Sequence, residues 1–364
     1  MLEAQGTARI DTRQMVLLLF VCRAFTLMAF VPQTGEQVGG STVIAAAPVS
    51  LIFYLLILIP VFHVLKTWGG RDILDCAYQQ NRWLGRICAF FAWLFCIYQC
   101  LYTLYNQDIF LTSTIYTRES SRAIMFILSL AALYMARLGL ESFSRLSLGI
   151  FIAYLVLLTM VIIAVAPDVD PLNLRNPFED GAAPLFLTAA RSVAVNGEIA
   201  AIVLLAPLVR GNLKKPCIAL GGMWMTAMML LAFATLTVLG DFARTQMFPV
   251  YTLTTVAEFF MFERMDAFHM AAWTFMGLIK TALYLYLAAR CMRYLLRGKA
   301  ARWSLGVNGL IAVSVSTLIA GGFPMETAIA TLSVYPTSII VLLIPGVIWL
   351  AARGFKKGKR YGES

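Results

Sequence analysis

Four ionisable side chains stand in stretches that are otherwise apolar: Arg23, Arg191, Glu198 and Lys280. A charge at the depth of a bilayer core costs about 3 kcal/mol or more unless it is paired or hydrated, so each is a functional candidate. Arg23 falls about ten residues into the first apolar run and Glu198 about fifteen into the sixth, which places opposite charges at matching depth. Two readings stay open. The pair either holds two helices together or lines a cavity for a proton or a charged or zwitterionic ligand. Lys280 lies in the eighth run. It either extends its stem toward the interface or serves as a proton carrier or a stand-in for a bound cation.

The sixth run carries a second signal. From Arg191 it reads Ser192, Val193, Ala194, Val195, Asn196, Gly197, Glu198. Asn and Gly are poor choices inside a helix. Irregular backbone at membrane depth is tolerated only where it faces protein or water. A break here frees backbone groups to meet a solute, with Ser192, Asn196, Gly197 and Glu198 as ligand contacts. On the third run, Tyr98, Tyr102 and Asn106 share one helical face. Aromatic stripes are more often packing than ligand contacts, but hydroxyls in hydrocarbon need partners, so this stripe is expected to face inward, with Tyr98 and Tyr102 at the ligand.

Other chemistry finds no support. The seven cysteines avoid the expected outer loops and form no CxxC. Two histidines, His63 and His269, do not make a metal motif, and no phosphate-binding or dinucleotide fingerprint occurs. No metal site, cofactor or enzymatic activity is expected.

The elements that must position these residues are membrane helices. Of 364 residues 60% are hydrophobic and only 13% charged, and the mean hydropathy is +0.78. Soluble domains carry about twice that charge fraction. About ten runs are long enough to cross roughly 30 Å of hydrocarbon. They cover approximately 14–32, 42–65, 87–111, 121–138, 144–166, 183–208, 215–239, 265–289, 304–321 and 328–352. With the N-terminus inside, about 21 of the 29 Lys and Arg fall in inner segments and about 5 in outer ones. Both termini are therefore expected in the cytoplasm. The net charge of +10 is mostly this asymmetry, with some attraction to anionic lipid. No basic stretch interleaved with aromatics suggests nucleic acid. Residues 69–85 read as a short interfacial helix. Residues 241–264 read as an aromatic-rich outer connection, either a lid or an interfacial belt.

Several stretches together resemble the spore germination permeases, the B subunits of Ger-type nutrient germinant receptors. They are Asp11-Thr-Arg-Gln14, Gly139-Leu-Glu-Ser-Phe-Ser-Arg145, and Phe248-Pro249 through Glu263, Arg264, Met265, Asp266, Trp273 and Lys280. The resemblance implies the amino acid–polyamine–organocation superfamily and a single permease-like domain over 1–364. It implies a leucine-transporter-like fold of two inverted five-helix repeats, about 12–166 and 180–352, with a tail over 353–364. Helices 1 and 6 are the discontinuous pair in such folds, and here they carry Arg23 and Glu198. It further implies the inner spore membrane, partner A and C subunits, and a small nutrient ligand, plausibly an amino acid. A proton-coupled transporter and a solute channel are the alternative functions. Glu141, Arg145, Glu263 and Arg264 match family motifs at membrane edges, as structural or coupling residues.

Overall fold

The computed structural model describes residues 9–28, 40–67, 72–114, 121–174, 176, 178, 181–257, 265–296 and 298–320. The expected tenth span, the tail, and both Glu263 and Arg264 lie outside the described residues.

The chain is an all-α polytopic membrane protein. Hydrocarbon offers no hydrogen bonds, so each spanning segment must satisfy its own backbone, which a helix does. Among the described residues eight helical segments are long and apolar enough to cross a membrane. They coincide with expected spans two to nine. Expected span one is α1, Thr12–Met28. After it come α2 (Gly40–Thr67), α3 (Ile73–Gln80), α4 (Arg82–Thr114), α5 (Ser121–Leu138) and α6 (Leu140–Val165). The second half holds α7 (Ala182–Ala194), α8 (Glu198–Leu205), α9 (Lys214–Leu239), α10 (Pro249–Val256), α11 (Asp266–Leu295) and α12 (Ser304–Ala320).

Burial separates inner from outer helices. The α7–α8 segment and α11 are each 72% buried over their most apolar stretch, against 22% for α6. Ile52, Ile59, Ile127, Ile152 and Ile163 are exposed, a surface that only lipid can cover at low cost. Lipid is as apolar as the side chains, so polar contacts and close packing must hold the helices together. Ser129 of α5 meets Ser316 of α12 at 3.0 Å, and Trp93 Nε1 of α4 donates to Asn308 Oδ1 of α12 at 2.7 Å.

The family-like stretches are largely devices for starting helices. Asp11 accepts from the Arg13 amide (3.3 Å), and Gln14 Oε1 accepts from the Asp11 amide (3.0 Å). That reciprocal cap starts α1. Ile10–Asp11 also pairs in parallel with Val209–Arg210, tying the start of α1 to the chain beyond α8. Gly139 has φ +94° between α5 and α6, a conformation that favours glycine. Glu141 and Arg145 form an exposed i,i+4 ion pair at 2.5 Å, a contact worth about 0.5 kcal/mol or less.

Each of the two connections contains a short helix. That between the second and third spans contains α3, whose N-cap Asp72 accepts from the Leu74 amide at 3.0 Å. Asp72 also accepts from Arg290 and from the Tyr294 hydroxyl (2.8 Å), both on α11. Partial burial and the nearby Asp72 charge raise the pKa of the Asp75 carboxyl on α3. The outer connection contains α10, where Phe110 of α4 meets Phe248 and Tyr251 edge-on.

Candidate functional site

The site is built where the sixth span breaks. Helix α7 ends at Ala194 and α8 starts at Glu198. Between them the Asn196 amide bonds to the Val193 carbonyl (3.0 Å), and the Gly197 amide to the Val195 carbonyl (3.0 Å). In an unbroken helix the Asn196 amide would bond to Ser192. The turn releases the Ser192 carbonyl, and Arg23 Nη2 donates to it at 3.2 Å. The same guanidinium nitrogen lies 3.5 Å from Ser192 Oγ. Gly197 has ordinary helical angles, so it is not needed for φ. It is needed for space, because a Cβ there would collide with the Gln99 amide.

The expected direct pair of Arg23 with Glu198 does not form. The partner of Glu198 is Lys280 of α11, with Nζ at 2.9 Å from Oε1. Lys280 and Glu198 are 2% and 0% exposed. Lys280 Nζ also donates to Thr26 Oγ1 on α1 (3.0 Å) and lies 5.7 Å from the Phe25 ring centroid. The physical reason for the exchange of partners is azimuthal. Arg23 points toward α7, while α11 brings Lys280 up to the first residue of α8. The carboxylate is close to the ammonium without hydrogen-bond alignment, and neither oxygen has a hydrogen-bond partner among the described residues. The hydroxyls of Thr281 and Tyr284 on α11 are likewise buried without one.

The discontinuity that the resemblance implies for helix 1 does not fall within Thr12–Met28, and residues 29–39 lie outside the described residues. Helix α1 runs unbroken through Arg23 to Met28. This stretch lacks Gly and Pro, and the carbonyl released from α7 gives Arg23 Nη2 a partner without any unwinding of α1. Trp273 of α11 covers the end of α1. Its Nε1 donates to the Phe25 carbonyl (2.8 Å), and its ring stacks on Phe25 at 4.4 Å between centroids.

On α4 the aromatic stripe stands one residue away from the polar face. Tyr98 and Tyr102 stack on each other at 6.0 Å and pack toward Val315 and Ile319 of α12. Asn106 Nδ2 donates back to the Tyr102 carbonyl (2.7 Å). The face turned inward is Gln99, Thr103 and Gln107, at 2%, 0% and 0% exposure. Sequence reasoning missed this face and Tyr284. The available signal was the pair of glutamines spaced two turns apart in an apolar run, where an unpaired amide is costly. Among the described residues no cluster of His, Cys, Asp and Glu could hold a metal ion.

A helix broken at membrane depth beside a buried ion pair defines a permease-like polytopic protein. The family described as spore germination protein matches residues 9–323, and the chain belongs to that family. Curated proteins yield no match to the chain.

Proposed function

We propose that the chain is the nutrient-sensing, permease-like subunit of a spore germination receptor. It binds a small nutrient, an amino acid, at the break in the sixth span. One observation carries this reading: Glu198 begins α8 fully buried, beside Lys280, at the point where backbone groups are released. An unbroken helix would be cheaper in a passive scaffold, so the break supports a site that contacts a solute. Family membership supports the germination role. Binding favours one arrangement of α1, α8 and α11 over another and passes that bias to partner A and C subunits. The setting is the inner spore membrane with both termini inside, and the architecture is two inverted repeats near 12–166 and 180–352.

Glu198→Gln is expected to shift the amino acid dose response of germination at least tenfold toward higher concentration, at normal abundance of the complex. Where the glutamine variant accumulates poorly, Glu198→Asp retains the charge and shortens the reach. An unchanged dose response in a normally assembled complex would exclude the site.

The second reading is a proton-coupled amino acid transporter, favoured by the buried Lys280–Glu198 pair. Uptake of labelled amino acid into proteoliposomes, driven by a pH gradient, separates the two.

A further inference from the structure

Three buried polar atoms without hydrogen-bond partners line one cleft: Arg23 Nη1, Trp224 Nε1 and Asn196 Oδ1. Their residues are 6%, 6% and 5% exposed. The cleft runs between α1, α2, α7 and α9, with about 350 Å³ of empty space counted to its open mouth. Neither Glu198 nor Lys280 lines it. It is thus a different surface of the broken span from the one that holds the ion pair.

Charge bookkeeping makes this cleft distinctive. Lys280 and Glu198 neutralise each other. Arg23 feels Glu198 only through space, its hydrogen bonds among the described residues go to the neutral carbonyl and hydroxyl of Ser192, and no acidic side chain among the described residues lines the cleft. A buried guanidinium without an anion is costly, and one with an anion is much less so. Guanidinium Nη1 and indole Nε1 are both pure donors. Two unpartnered donors on one cleft and one surplus positive charge suit a monoanion with two acceptor oxygens. A doubly charged phosphate would exceed the available charge. The narrow part of the cleft has room for roughly two or three water-sized groups, about the bulk of a carboxylate. Met228 and Leu27 supply apolar walls for a short chain beyond it.

We propose that this cleft binds the carboxylate of a small monocarboxylate. Arg23 Nη1 and Trp224 Nε1 donate to its two oxygens, and Asn196 faces the polar group next to it. The proposal rests on the nutrient-sensing reading, of which it names the acid-binding subsite.

The test uses the full chain in lipid nanodiscs, labelled with 5-fluorotryptophan and observed by fluorine NMR. Seven tryptophans give seven resonances, and Trp224→Phe assigns one by its loss. Titration with propionate is expected to move the Trp224 resonance saturably. Propionamide, which has the same shape without the charge, is expected to leave it in place at equal concentration. Arg23→Gln is expected to weaken the propionate response at least tenfold, with the other six resonances reporting an intact fold. An equal response to the amide, no response to propionate, or an undiminished response in Arg23→Gln overturns the proposal. The propionate–propionamide contrast needs no variant at Arg23, so poor folding of that variant does not remove the test. A negative result here together with a shifted Glu198→Gln dose response removes the subsite and leaves the sensing function standing.

Discussion

Lys280→Met is expected to lower the melting temperature of the purified protein steeply, and adding Glu198→Gln to restore most of the loss. The single change leaves the carboxylate of Glu198 at 0% exposure with no cation within bonding distance. Breaking a buried ion pair from one side costs about 3–5 kcal/mol, because the remaining charge is neither solvated nor paired. Removing the second charge as well eliminates most of that penalty, since a buried neutral amide costs far less than a buried unpaired carboxylate. The double variant is therefore predicted within about 1–2 kcal/mol of the parent chain, a coupling far above the few tenths expected of independent sites. Thermal unfolding in detergent of the parent, both single variants and the double variant measures it. Additive losses would mean that the two residues do not stabilise each other. The comparison also bears on function. If the double variant folds well but no longer responds to nutrient, the pair is retained for signalling rather than for stability.

The second large effect is expected at the far end of α11. Arg290→Ala removes the cation that binds Asp72, leaving that carboxylate with the Leu74 amide and the Tyr294 hydroxyl. The pair is 16% and 9% exposed, so solvent screening discounts the loss to about 2 kcal/mol. The loss should be local. Helix α3 is only eight residues long, too short to hold its shape without docking. It is docked by Asp72 and by Tyr78, whose hydroxyl donates to the Tyr294 carbonyl (2.5 Å) and whose ring stacks on Tyr294 at 5.8 Å. Hydrogen exchange in residues 73–80 is expected to quicken more than tenfold in Arg290→Ala, with little change in the buried middle of α11. Equal exchange in α3 would show that the ion pair does not hold it. Arg290 stands ten residues after Lys280 on one continuous helix, about 15 Å along its axis. A shift of α11 at the ion pair is thus felt at α3.

Much of this architecture was legible in the sequence because it depends on position along a helix axis. Spans two to nine follow from the length of apolar runs, and their ends differ from expectation by a few residues; α4 starts at Arg82 rather than near 87. The break at Val195–Gly197 was marked by Asn196 and Gly197, both poor helix formers, although Gly197 itself keeps helical angles and is needed for space. The short helix between the second and third spans follows from polar alternation, whereas α10 was not anticipated. The failures share another property. The Arg23–Glu198 pairing and the choice of the α4 face turned toward Gly197 both needed knowledge of rotation about the axis. A helix advances about 100° per residue, so moving from Tyr98 to Gln99 turns the face from α12 toward Gly197.

By itself, then, the sequence determined that this is a polytopic helical protein with four charges inside its spans and a weak point in its sixth span. Hydropathy, charge and glycine act locally or along one axis, and one chain suffices to read them. Only the tertiary structure decided that Lys280, not Arg23, neutralises Glu198, and that the freed Ser192 carbonyl engages Arg23. It alone brought Trp224 and Asn196 into one cleft with the remaining charge. Those outcomes depend on how helices far apart in sequence rotate and pack against one another. That choice is made by the summed contacts of the whole bundle.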